Sequence, residues 1–202
     1  MRFFQKNKKI FEYVIFSATI ITFLVATVVY LVQIKDVIDL GTTIDSLRTS
    51  QTETEIATLE VLEYSYTSMM MQIISETILS LFGLGLGFTA LYQIYKDDDT
   101  EKASTYFSIS MGILLISCLI SAAFGCSNAH KYRFEVSGAI IAQIVIAVVG
   151  ILLAIAALIL VHNDLEMPTQ IINVLSSICF FVIVCISLDS LRTMNEAYTA
   201  AG

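Results

Sequence analysis

Apolar and polar positions alternate along this chain in long blocks rather than residue by residue. The first apolar block covers residues 10–34, with Glu12 as its single ionisable side chain, and others follow at 73–95, 106–126, 138–161 and 171–188. About 20 apolar residues carry a helix across the hydrocarbon layer. The pattern therefore predicts an all-α polytopic membrane protein with about five transmembrane helices at those positions. Residues 1–9 form a basic N-terminus and residues 189–202 a polar C-terminal tail. The first block is too long for a signal-peptide core and no A-x-A-like cleavage site follows it, so it is expected to stay as a signal-anchor helix.

Residues 35–72 show a different pattern. Val37, Leu40, Ile44 and Leu47, then Ile56, Leu59, Leu62, Tyr66, Met69 and Ile73, recur at steps of three and four, which marks a helical stripe. Thr49, Ser50, Gln51 and Thr52 interrupt it, and Thr52 with Glu55 forms a capping box that predicts a helix start near Glu53. An extramembrane helical hairpin continuing the first two spans is the expected result. Its apolar positions Ile56, Leu59, Leu62 and Tyr66 are candidates for contact with a partner or a second copy, because a two-helix hairpin alone buries little core.

Composition strengthens the membrane reading. Apolar residues make up 56% of the 202, and charged ones only 14%, against roughly 25% charged in ordinary soluble domains. DNA-binding domains, secreted disulfide scaffolds and soluble enzymes are excluded on that ground. Arg2, Lys6, Lys8 and Lys9 precede the first span and place the N-terminus in the cytoplasm, with the hairpin outside a cell membrane. Lys35 and Arg48 oppose Asp36, Asp39, Asp45, Glu53, Glu55, Glu60 and Glu63, so two positive and seven negative residues give residues 35–72 a net charge of −5.

Chemistry-bearing residues are sparse. His130 and His162 fall in loops on opposite expected sides, so they cannot pair as haem ligands. Cys118, Cys126, Cys179 and Cys185 show no C-x-x-C spacing and read as small apolar residues. Phosphate-loop, nucleophile-elbow and zinc-protease motifs are missing from the sequence, and the expectation is a non-enzymatic protein needing no metal or cofactor and no nucleic acid. Within the spans, Ser117, Ser121 and Gly125, and then Gly138, Ala142, Gly150 and Ala154, form small-residue ladders of the kind that let helix backbones approach. The fourth span, free of aromatic residues, is expected to be the central helix. Gln143 and Asn173 are candidates for hydrogen bonds between helices.

The second span carries Glu76. A charge in the hydrocarbon layer costs several kcal/mol and marks a candidate functional site. Gln72, Ser80 and Gly83 share a face with Glu76, and Gly83, Gly85 and Gly87 form a candidate hinge. Three function classes follow, the first ranked slightly ahead of the second. In the first, copies assemble into a cation-preferring pore or membrane effector lined by Glu76, Gln72, Ser80 and Gly83. In the second, the chain is an accessory or scaffolding subunit of a larger membrane complex, docking through its ladders and hairpin. A small transporter ranks below both, because no inverted repeat divides the spans.

Overall fold

The helical periodicity runs on past the ends of the apolar blocks, so the helices of the computed structural model are longer than the blocks themselves. The structure describes residues 2–48, 53–97 and 100–201. Within them, the side chains of residues 2–9, 12, 23, 26, 29–30, 33, 36, 47, 53–58, 76, 79–80, 97, 191 and 194–201 lie outside the description. Among the described residues the fold is all-helical: α1 is Arg2–Leu47, α2 Glu53–Tyr92, α3 Thr100–Lys131, α4 Gly138–His162 and α5 Glu166–Ala201. A π-helical turn, Gln93–Asp97, follows α2.

At 1.5 Å per residue, the 46 residues of α1 and the 40 of α2 extend about 69 and 60 Å, well beyond a hydrocarbon layer of about 30 Å. Among the described residues, three helical segments are long and apolar enough to cross a membrane: Thr100–Lys131, Gly138–His162 and Glu166–Ser190. Helix α5 continues beyond the last of these to Ala201, where a polar tail was expected.

Local chemistry explains the helix ends. At α4 the Ser137 hydroxyl accepts from the Ile140 N–H, satisfying one of the first-turn donors that no helix can satisfy itself. Arg133 and Asp164 take left-handed backbone angles of 59° and 58° and reverse the chain between α3, α4 and α5. Pro168 sits in the first turn of α5, where its missing N–H costs nothing.

The central helix is α3, which corrects the expectation for the fourth span. The most apolar stretch of α3 is 44% buried, against 28% in α4 and 33% in α5. Buried α3 residues include Phe107, Ser108, Ser110, Met111, Leu114, Leu115, Ser117 and Cys118, which cover about half of its circumference. Helix α4 instead buries a single stripe, Ile140, Gln143, Ala147, Gly150, Ala154, Ala157 and Val161, at steps of three and four. Lack of aromatic residues identified a helix that packs closely along one side. Enclosure on several sides requires contact-forming residues around the helix, and α3 has them.

Candidate functional site

The distinctive chemistry lies where α3 meets α2. Three side chains of α3 make four hydrogen bonds across this antiparallel seam. Ser110 donates to the Gly83 carbonyl at 2.6 Å, Ser117 donates to the Ser75 carbonyl at 2.9 Å, and the Asn128 side-chain amide donates to the Tyr64 carbonyl at 3.0 Å and to the Ser68 hydroxyl at 2.6 Å. The register is shared, because each step up α3 matches a step down α2 to within one residue. Backbone carbonyls inside a helix retain a free lone pair, so a serine on a neighbouring helix can use them without breaking the helix.

Gly83 makes the seam possible. A Cβ there would lie 2.5 Å from Leu114 Cγ, closer than side-chain atoms approach, so any larger residue requires Leu114 to shift. Gly87 meets Ile20 of α1 at 3.1 Å by the same measure, whereas Gly85 faces open space. Helix α2 is continuous through all three glycines. In this conformation Gly83 and Gly87 have a packing role, Gly83 against α3 and Gly87 against α1. Nearby, Phe16 of α1 stacks on Phe107 of α3 with ring centroids 4.1 Å apart.

The other helices join the same polar core. Gln143 on α4 donates to Ser187 on α5 at 2.9 Å, and Ser176 on α5 donates to the Gly150 carbonyl at 3.3 Å. Both amides singled out in the sequence thus reach across helices, since Ser108 on α3 lies 2.9 Å from the Asn173 side-chain oxygen on α5. Ser108 also lies 2.8 Å from the Ser104 carbonyl, and the Asn173 Nδ2 meets no acceptor. One hydroxyl proton cannot serve two acceptors. Turned over, the amide donates to Ser108 while Ser108 donates to Ser104, which resolves the conflict over the hydroxyl proton.

The small-residue ladders divide. Gly125 faces Ile140 at 3.2 Å and Gly150 faces Leu115 at 2.8 Å, each distance taken from a Cβ placed on the glycine. Ser117, Ser121 and Ala154 are buried, and Ala142 is half-buried. Gly138 has nothing within 4 Å and belongs to the exposed start of α4, so the ladder on that helix begins after it.

Of the expected lining face, Gln72 and Gly83 fall within the described residues. Gln72 is buried, and Gly83 is buried beneath Leu114, so both face the bundle interior rather than an open path. Glu76 and Ser80 lie on α2, and their side chains fall outside the described residues. The hairpin stripe is likewise used within the chain. Leu62 is buried together with Val37, Leu40 and Ile44 of α1, and Leu59 and Tyr66 pack against this cluster. Ile56 is outside the described side chains. The outer part of the hairpin thus gains its core from α1 and α2 together.

Outside the apolar blocks, Arg48 at the end of α1 clasps Glu63 of α2 through two N–H donors at 2.8 and 3.1 Å, and reaches Asp45 at 3.5 Å. The hydrogen bonds to Glu63, and then its charge, raise the Arg48 pKa above the ordinary guanidinium value. Tyr132, in the α3–α4 turn, points its hydroxyl at Glu63 from 3.5 Å and sets its ring 6.1 Å from Tyr64. Glu63 therefore ties three segments together. Sequence reasoning missed this hub, because Glu63 reads as one of seven acidic residues and its partners come from 15 and 69 positions away.

No protein-family model matches the chain, and neither the curated proteins nor the solved structures contain a match to it.

Proposed function

We propose that the chain is a non-enzymatic integral membrane subunit with five spans, its N-terminus cytoplasmic, that acts as an accessory or scaffolding component of a larger cell-membrane complex. Support for spans by α1 and α2 comes from their outward faces. Ile10, Val14, Ile21, Val25, Val28 and Val32 on α1, and Ile74, Ile78, Leu81 and Phe82 on α2, are all exposed, an arrangement stable against lipid and costly against water.

One observation carries the scaffolding reading: Ser108, Ser110, Ser117 and Gln143 of the apolar blocks bond across helices, to Asn173, the Gly83 and Ser75 carbonyls and Ser187. A bundle built that way closes these polar groups within one chain and offers apolar faces and a projecting acidic hairpin to its surroundings. The pore reading rests on Glu76, a carboxylate within an apolar block, and needs copies arranged so that α2 borders water.

Extraction in a mild detergent followed by native mass measurement separates the two. Stoichiometric association with a larger membrane protein, lost when the exposed Asp39 and Glu60 are replaced by lysine, is the expected result. A symmetric homo-oligomer that conducts cations in vesicles, with conductance altered by Glu76→Gln, would replace the scaffold with the pore.

A further inference from the structure

Beside the Arg48–Glu63 clasp, α1, α2 and the end of α3 enclose a groove of about 540 Å³. That volume lies within the roughly 300–1,000 Å³ of sites for small organic ligands. Its walls carry Asp45, Arg48, Glu63, Lys131, Tyr66 and Tyr132, and Ile38 and Ile44 supply apolar surface.

We propose that this groove binds the headgroup of an amino-phospholipid, a phosphodiester joined to an ammonium group, from the leaflet on the hairpin side. The inference rests on the spanning reading above and adds a ligand to it.

Charge balance selects a zwitterion. Two cations, Arg48 and Lys131, face two carboxylates, Asp45 and Glu63, so a simple anion meets repulsion from one pair and a simple cation from the other. Arg48 and Glu63 neutralise each other through their 2.8 Å bond. Lys131 and Asp45 remain at the rim for opposite ends of a dipolar ligand. The Lys131 ammonium rests 4.7 Å from the centre of the Tyr132 ring and donates to the Tyr132 hydroxyl at 3.3 Å, contacts that position it without cancelling its charge. Asp45 has a side chain 78% exposed and meets Arg48 only at 3.5 Å. An ammonium beside Asp45 also gains from the tyrosine faces, since aromatic rings attract cations.

Depth selects a lipid as the source. Lys131 lies five residues beyond Cys126, the end of the third apolar block, which is about 7 Å along a helix axis. The headgroup zone on each side of a bilayer is about 5–8 Å deep. The inner end of the groove, at Lys131 and Ile38, therefore lies at the level of phosphates and amines, and Asp45, eleven residues beyond the first apolar block, stands farther out on the side toward which the ammonium points. Gly41 keeps the space open, because a Cβ there would crowd the Tyr66 ring at 3.2 Å.

The test uses the full chain in a phosphate-free maltoside detergent, with native mass spectrometry reading the binding of dihexanoyl phosphatidylethanolamine, dihexanoyl phosphatidylglycerol and inorganic phosphate. One phosphatidylethanolamine per chain is expected, with binding weakened roughly fivefold by Lys131→Gln and by Asp45→Asn, as suits exposed charge contacts. Phosphatidylglycerol should respond to Lys131→Gln but not lose affinity on Asp45→Asn, and Lys131→Arg should retain binding of both. Equal phosphatidylethanolamine binding by the wild type and both charge-neutralised variants would overturn the proposal. So would inorganic phosphate competing as well as the lipid, which would indicate an anion site only. Because the lipids are presented in detergent, the result stands apart from the topology, which cysteine labelling of the hairpin from each side of a vesicle tests separately.

Discussion

The seam between α2 and α3 and the seam between α1 and α5 join neighbouring helices of the same bundle by opposite means. The first is closed by Gly83 and by side-chain hydrogen bonds from Ser110, Ser117 and Asn128. The second has the Thr19 and Ser177 hydroxyls 3.3 Å apart beside a groove of about 230 Å³ lined by Ile15, Thr22, Val174, Ile178 and Phe181. Residue size accounts for the difference. Glycine and serine let backbones approach until a hydroxyl reaches a carbonyl, whereas branched and aromatic side chains hold helices apart. In an apolar solvent, close approach matters more than apolar area, because lipid competes equally well for apolar surface.

The largest effect is expected from Gly83→Leu. A leucine there must displace Leu114, and overpacking of this kind costs about 1–3 kcal/mol. Thermal unfolding in detergent should show a clear drop in midpoint, while Gly85→Leu, facing open space, should leave it near that of the parent. Equal effects at the two positions would dissolve the contrast between the seams.

Removing the seam's hydroxyls tests the polar part alone. Ser110→Ala together with Ser117→Ala should cost about 1 kcal/mol, since hydrogen bonds between membrane helices average about 0.6 kcal/mol each. The same unfolding measurement on the double variant checks this, and no change would assign the seam's stability to Gly83 and its neighbours. At the open seam, Thr19→Val should shift stability by a few tenths of a kcal/mol at most, because the Thr19 hydroxyl also bonds its own helix at the Ile15 carbonyl. A loss as large as that of the serine pair would make the α1–α5 seam an equal partner.

Legibility in the sequence followed the same divide. The apolar blocks located the α3, α4 and α5 cores, and the capping box placed the start of α2 at Glu53. Gln143 and Asn173 were recognisable because an amide in an apolar block must find a partner. What could not be read was which face of a small-residue helix meets which neighbour. Serine is neutral in a hydropathy pattern, so the buried serines of α3 showed only as the Ser117 and Ser121 ladder beside the conspicuously apolar α4. Gln72 and Gly83 suggested a polar path because spacing shows that residues share a face, not whether that face looks onto water or onto another helix.

Whether the polar face of α2 is dry is the central question, and substituted-cysteine labelling measures it directly. Gln72→Cys and Ser110→Cys, each in a chain with Cys118, Cys126, Cys179 and Cys185 replaced, would be exposed in vesicles to a charged, water-confined thiol reagent, with the exposed position Ser46→Cys as reference. A closed α2–α3 seam predicts no modification of either position during the time in which the hairpin cysteine reacts to completion. Modification at either position at a rate near that of the reference would place water along α2 and contradict a bundle that keeps its polar groups to itself.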